Sequence, residues 1–365
     1  MRKYAVILLF GLIVILALRV DASNVELQAQ RLSKLPDQWV AFEMPPLFER
    51  KRPFLQYGPY SFSVDTGRSL FFTDDERQAV IMTDWSGKKL RHFTASMQGY
   101  KGRFSDVVYH RGLLYAGCAQ QPRIFVFDTK TGEVVRDIVL DTKHFRDSHE
   151  RERKGPLKWA EPIVTRIGVD KYGRIHVAYW TVSTKTKTNF IYSERSCWKA
   201  TLDYTGKPVH PDQEVPRRVT YGVVNQEGEW FYREATSVRI DARGASVDLY
   251  HVMKLDVSGR SSVFDDLHNF MKGVRGDCRA LLGFDMHGAL YGVVTLFTEL
   301  LKHEVSHLDP GPYLVKWDRS GKREILGKIG SKPGNLRAPG ARTAIVGQDG
   351  SIYILLLDKE PKKSG

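Results

Sequence analysis

One pattern recurs through this chain and limits what it can fold into. An apolar strand runs into a tight turn that ends in glycine, and a second apolar strand runs out. Ser61-Phe-Ser-Val-Asp-Thr-Gly67 leads to Ser69-Leu-Phe-Phe-Thr73, and Asp106-Val-Val-Tyr-His-Arg-Gly112 leads to Leu113-Leu-Tyr-Ala-Gly117. Ile167 to Gly173, Val238 to Gly244 and Leu282 to Gly288 open three more units, and Ala344 to Asp358 holds a last one around Gly350. The turn chemistry is direct. An Asp carboxylate accepts from backbone N–H groups of its own turn, and Gly supplies the positive φ. Alternating apolar residues between such turns make half-buried strands.

The first five units continue into a third strand and a second turn, as in Ile124-Phe-Val-Phe-Asp-Thr-Lys-Thr-Gly132 and Tyr313-Leu-Val-Lys-Trp-Asp-Arg-Ser-Gly321. A fourth strand follows, for example Val134-Val-Arg-Asp-Ile138. Four antiparallel strands per unit, repeated six times, predict an all-β, six-bladed β-propeller over residues 39–358. The last unit supplies only two strands. Trp39 to Phe42 is expected to complete it, because an open ring would leave unpaired edges. Long insertions explain the uneven spacing: 142–161, 181–195, 207–234, 265–279 and 295–312.

Both termini fall outside this domain. Arg2 and Lys3 precede an uncharged apolar run, Tyr4 to Leu18, and Val20-Asp-Ala22 offers a cleavage site. The run is short for a span of roughly 20 residues. Residues 1–22 therefore read first as a cleaved signal peptide, with an uncleaved N-terminal anchor as the alternative that Arg19, in place of a small residue, keeps open. Either places the bulk of the chain in the periplasm or outside the cell. Residues 23–38 read as a linker and 359–365 as a polar, basic tail. The formal net charge of +13 becomes +11 after cleavage behind Ala22. That balance favours anionic partners, but no nucleic-acid signature accompanies it. Three cysteines, Cys118, Cys197 and Cys278, are too few for a disulfide scaffold, and which two could pair stays open.

The pattern resembles the NHL-repeat and related six-bladed propellers. The resemblance is best in Gly327 to Asp358, where a Gly-Lys-Ile-Gly-Ser-Lys-Pro-Gly entry precedes an Asp-Gly turn and Ile-Tyr-Ile. Gly99 to Asp128 is a second instance. The likeness implies architecture; such folds host binding modules, lactonases and lyases alike.

In such a ring the loops entering each innermost strand gather at one mouth of the channel, the default site. The candidates there are Tyr60, Arg103, Glu161, Arg166, Glu234, Asp277, Arg279, Arg337 and Arg342, with Tyr57 and Lys101 beside them. Arginines alternating with carboxylates suit an anionic or polyhydroxylated ligand or a protein partner. A lactonase-like hydrolase would need calcium held by inward groups such as Glu161, Glu234, Asn225 or Asp277. A lyase would need channel histidines, and His144 and His149 lie near Glu150. His303-Glu-Val-Ser-His307 has zinc-ligand spacing, but it sits in a hairpin insertion closed by Pro310 rather than on a long helix. The reading preferred from these residues is an exported binding or scaffold protein, with no cofactor expected; calcium or zinc belongs to the enzyme alternative.

Overall fold

In the computed structural model, described residues are 61–65, 69–74, 78–84, 88–142, 162–184, 195–239, 246–270, 274–298, 312–328, 344–347 and 350–357, together with the backbone of 13–18, 39–43 and 158–159. They divide into two compact units, 59–228 with 340–342, and the remainder.

The first of these units holds three sheets. One is β3 (Phe62–Val64), β4 (Leu70–Asp74), β5 (Ala79–Thr83) and β6 (Lys89–Phe93), following strands β1 and β2 given below. The next is β7 (Phe104–His110), β8 (Leu113–Cys118), β9 (Arg123–Asp128) and β10 (Val134–Val139). The third is β12 (Ile163–Val169), β13 (Ile175–Thr184), β14 (Arg195–Leu202) and β15 (Gln213–Glu214), with β11 (Lys158–Trp159) added to the far end of β13. Strand β16 (Val223–Val224) ends this unit. Aromatic packing fills it: Phe71, Phe93, Phe104, Phe125 and Phe127 are fully buried in one cluster.

The other unit holds β17 (Trp230–Arg239), β18 (Ser246–Leu255) and β19 (Ser261–Asp266), then β20 (Val274–Phe284), β21 (Leu290–Thr298), β22 (Pro312–Trp317) and β23 (Arg323–Lys328). It also holds a sheet that joins the two termini, where β24 (Ala344–Val346) and β25 (Ile352–Leu357) pair with β1 (Ile13–Leu18) and β2 (Trp39–Glu43) in the order β2-β1-β25-β24.

The all-β propeller pattern is therefore present, but the blade count differs from expectation. Five blades are built from consecutive strands, not six. The sixth repeat supplies β24 and β25 alone. Strand β2 does not complete it directly, because β1 lies between, with Leu16 opposite Ile354 on one side and Ala41 on the other. The cause is compositional: Ile13-Val-Ile-Leu-Ala-Leu18 matches the equally apolar Ile352-Tyr-Ile-Leu-Leu-Leu357 as a strand partner. Residues 1–12 and 19–38, on which the rest of the leader and linker reading falls, lie outside the described residues, as does the 359–365 tail. No helix among the described residues is long and apolar enough to cross a membrane.

Turn chemistry behaves as read from the sequence. Asp170 accepts from the N–H of Arg174 at 2.9 Å, Asp285 from Ala289 at 2.9 Å, Asp256 from Arg260 at 2.9 Å and Asp318 from Lys322 at 3.0 Å. Where His110 replaces Asp, Arg111 (φ 48°) and Gly112 (φ 82°) both take positive φ, a two-residue primed turn.

The fourth unit corrects the sequence reading. Residues 240–245, with the Asp241 to Gly244 pattern, connect β17 to β18 and are not a first turn. The first turn is Asn225-Gln-Glu-Gly228, where the Asn225 side chain accepts from Glu227 N–H at 3.0 Å and Gly228 has φ 86°. Asn does the work of Asp there. Glu234 consequently lies in the middle of β17 opposite His251, not at the entry to an innermost strand.

Strand parity then sorts each sheet into two ends. At one end sit the short capped turns, such as 170–173 and 203–206 in the β12–β15 sheet. At the other the chain enters the innermost strand and passes from second to third strand, through the long connections 143–157, 185–194 and 299–311.

Candidate functional site

The connection end of the first unit is organised by Asp106. It is fully buried near the start of β7. Ser61 Oγ donates to its Oδ1 at 2.6 Å, and the backbone N–H of Ile167 donates to Oδ2 at 2.7 Å. Arg166 Nη1 reaches Oδ1 at 3.4 Å, and Arg166 is itself 4% exposed. Ser61 Oγ also accepts from Val107 N–H at 3.3 Å. The innermost strands of three successive sheets are thus tied at their entry ends by one carboxylate.

The local sequence explains how those groups turn inward. Register shifts fall between Phe104 and Asp106, and between Val164 and Arg166. Each is a bulge that adds one residue and re-aims the next. The extra residue is a small hydroxyl in both cases. Ser105 Oγ donates to the carbonyl of Gly117 at 3.1 Å and to that of Val164; Thr165 Oγ1 donates to the carbonyl of Ala178 at 3.0 Å. The bulge hydroxyls recover ladder bonds that the insertion interrupts.

In the other unit, β20 has a shift between Cys278 and Ala280. Its extra residue is Arg279, whose Nε donates to Thr295 Oγ1 at 3.1 Å and whose guanidinium pairs with buried Asp277 at 3.0 Å. Arg233 donates to the carbonyl of Cys278 at 2.8 Å.

Of the sequence candidates, Arg166 stands in the Asp106 cluster, and Asp277 and Arg279 pair with each other. Arg103 directly precedes β7, and its carbonyl accepts from Ala119 N–H at 2.8 Å and from the Tyr100 hydroxyl at 2.5 Å. Glu234 is displaced from the entry position. Tyr60, Glu161, Arg337, Arg342, His303 and His307 lie outside the described residues, as do His144 and His149. Sequence reasoning missed Ser61 and Asp106 as site residues. A signal was present: Asp106 interrupts the apolar run Phe104-Ser-Asp-Val-Val108 with a charge.

A second buried polar group lies at the turn end. His176 Nε2 is 2.9 Å from Asp170 Oδ2, and Thr201 Oγ1 is 3.3 Å from His176 Nδ1. Burial opposes ionisation of Asp170, but hydrogen bonds from His176 and Arg174 outweigh it and bring its pKa down to about 2. Tyr291 repeats the arrangement, donating to Asp285 Oδ2 at 3.0 Å. Both partners sit six residues after the turn carboxylate, on the second strand, and they lock the turn to the sheet.

All three cysteines are free and buried. Burial pushes the Cys118 and Cys278 thiols up to about 12, which keeps them protonated and unreactive. Among the described residues no group of three or more His, Cys, Asp or Glu side chains could hold a metal ion. The hydrolase set is not assembled there either: Asn225 caps a turn, Glu234 faces His251 across a strand pair, and Asp277 pairs with Arg279.

No family model matches the chain, and no curated protein matches it. Solved structures do. A streptogramin B lyase structure is 12% identical over 82% of this chain and 94% of that one, with a TM-score of 0.39. Regucalcin, a calcium-binding protein from Agrobacterium tumefaciens, is 12% identical over 83% and 92%, with a TM-score of 0.39. The β-propeller domain of Myceliophteria thermophila Cps50 (Swd1) is 14% identical over 82% and 83%, with a TM-score of 0.40. At the level of architecture the chain has the β-propeller pattern. That pattern is carried by its own repeated sheets rather than by superposition.

Proposed function

We propose that this chain is an exported β-propeller that binds a protein partner or an anionic or polyhydroxylated ligand at the connection end of its sheets. The observation that carries the proposal is the sorting of each sheet into two ends. Short, capped turns occupy one; long connections and the buried Ser61–Asp106–Arg166 cluster occupy the other. Binding residues concentrate on loops that a rigid scaffold positions.

The test is affinity capture from an envelope fraction. The full chain is compared with a variant in which 143–154 is replaced by a Gly-Ser linker. A specific partner held by the first and lost by the second, with the unfolding temperature unchanged, supports the proposal. Equal capture by both rejects it. A stoichiometric calcium or zinc in the purified chain would instead favour the hydrolase or lyase.

Export has its own test, N-terminal sequencing of the protein from cells. Cleavage behind Ala22 would remove β1 and leave β2 as the strand to pair with β25. An intact N-terminus with the β2-β1-β25-β24 order kept would make the apolar run an internal strand, and would argue against both a cleaved signal peptide and a membrane anchor.

A further inference from the structure

The turn end of the β12–β15 sheet carries a feature that the connection-end reading does not use. Turn tips are ordinarily polar, yet two of them present tyrosine rings to solvent: Tyr172, 65% exposed, and Tyr204, 62% exposed. Tyr172 follows the capping Asp170 in the first turn, and Tyr204 follows the capping Asp203 in the second. The two turns lie at the same end of one sheet, two strands apart, so their backbones are on the order of 10 Å apart.

Both platforms are held rigidly. Asp170 accepts from Tyr172 N–H at 2.9 Å and Gly173 closes that turn at φ 79°. Asp203 accepts from Thr205 N–H at 2.8 Å and from Lys207 N–H at 3.0 Å, and Gly206 closes the turn at φ 94°. The Arg136 guanidinium, from β10, donates to the carbonyl of Tyr204.

Cations flank each ring. Lys171 Nζ and Arg174 Cζ each lie 5.0 Å from the Tyr172 centroid, and Arg136 Cζ lies 5.8 Å from that of Tyr204. The two sides differ in charge balance. Lys171 pairs with Glu227 and Arg174 with Asp170, whereas among the described residues neither Arg136 nor exposed Lys207 has a carboxylate partner.

We propose that this turn face is a second binding surface, for an acidic polysaccharide whose pyranose rings stack on Tyr172 and Tyr204 while its carboxylates meet Arg136 and Lys207. An aromatic ring with a polar tip suits a sugar, which has an apolar C–H face and a hydroxylated rim. Pre-ordered rings lose little freedom on binding. Arg136 beside Tyr204, with Lys207 in the same turn, supplies the preference for acidic over neutral chains.

The test is affinity electrophoresis of the full chain through gels holding polygalacturonate or neutral dextran. A basic protein is slowed by any polyanion, so the decisive comparison is among variants. The Tyr172→Ala/Tyr204→Ala double variant should bind polygalacturonate at least tenfold more weakly. The Tyr172→Phe/Tyr204→Phe pair should keep most of the affinity, and Arg136→Gln/Lys207→Gln should flatten its salt dependence. Both rings are exposed, so unfolding temperatures should not move. Protection of Tyr172 and Tyr204 from iodination by bound polymer gives the same answer on the native chain. Unchanged retardation of the alanine pair, absence of protection, or tighter binding of oligothymidylate than of polygalacturonate would each overturn the proposal.

Discussion

At the residue scale the most consequential group is Asp106. A buried ion pair stabilises little against an apolar replacement of both partners, but removing one partner strands a charge. Asp106→Ala leaves the Arg166 guanidinium, Ser61 and the Ile167 N–H without their common acceptor. The expected loss is about 3–5 kcal/mol. The exposed pair of Arg123 with Asp137 is the control, and Asp137→Ala should cost under about 1 kcal/mol. Denaturant titration of both variants measures the difference; similar small losses would show that the cluster does not hold the entry strands. The sequence could not have shown this cluster. Ser61 and Asp106 are 45 positions apart, and Arg166 is 60 beyond Asp106. Only the adjacency of innermost strands brings them together. What was visible was the lone charge among apolar residues in β7.

At the scale of elements, the repeat was legible because its turn chemistry is local. Capping carboxylates and positive-φ glycines act within five residues, so five of the six first turns could be read in phase. The fourth could not. Asn225 replaced Asp, while Asp241 to Gly244 offered a better match to the pattern in the wrong interval. The two ten-residue strands β17 and β18 then set the phase that the turn pattern alone could not. Two glycines test the corrected phase. A Cβ on Gly228 would lie 2.5 Å from His176 Cε1, whereas one on Gly173 would meet nothing within 4 Å, although both residues have positive φ. Gly173→Ala should therefore cost only the backbone term of about 1 kcal/mol. Gly228→Ala should add an overpacking cost of about 1–3 kcal/mol by pressing on the buried Asp170–His176 pair. Thermal unfolding of the two variants checks the ranking, and equal shifts would place Asn225 to Gly228 away from His176.

At the scale of the molecule, the same turn carboxylates make stability depend on acid in a predictable direction. The Ser258 hydroxyl, with the N–H of Arg260, holds Asp256 down to about 2. Thr205 lowers Asp203 and Ser320 lowers Asp318 through their hydroxyls, and the N–H groups of Thr131 and Lys130 lower Asp128. Asp170 is brought to about 2 in the same sense by His176 and Arg174, against its burial. All of these values lie below the ordinary 3.8 of an unfolded Asp. As the pH falls the unfolded chain therefore takes up protons first, and folding is opposed. The stabilisation is fully present well above 3.8 and is lost as the pH falls towards 2. Because the turns recur in both units, the losses accumulate across the fold instead of opening one loop. The urea midpoint should ease as the pH falls through 6.5, where burial opposes protonation of His110, and drop steeply below about 4. Combining Asp203→Asn, Asp256→Asn and Asp318→Asn should lower the plateau and flatten the drop, since an amide accepts similar hydrogen bonds but does not titrate. If the triple variant kept the full acid dependence, the capped turns would not be its source.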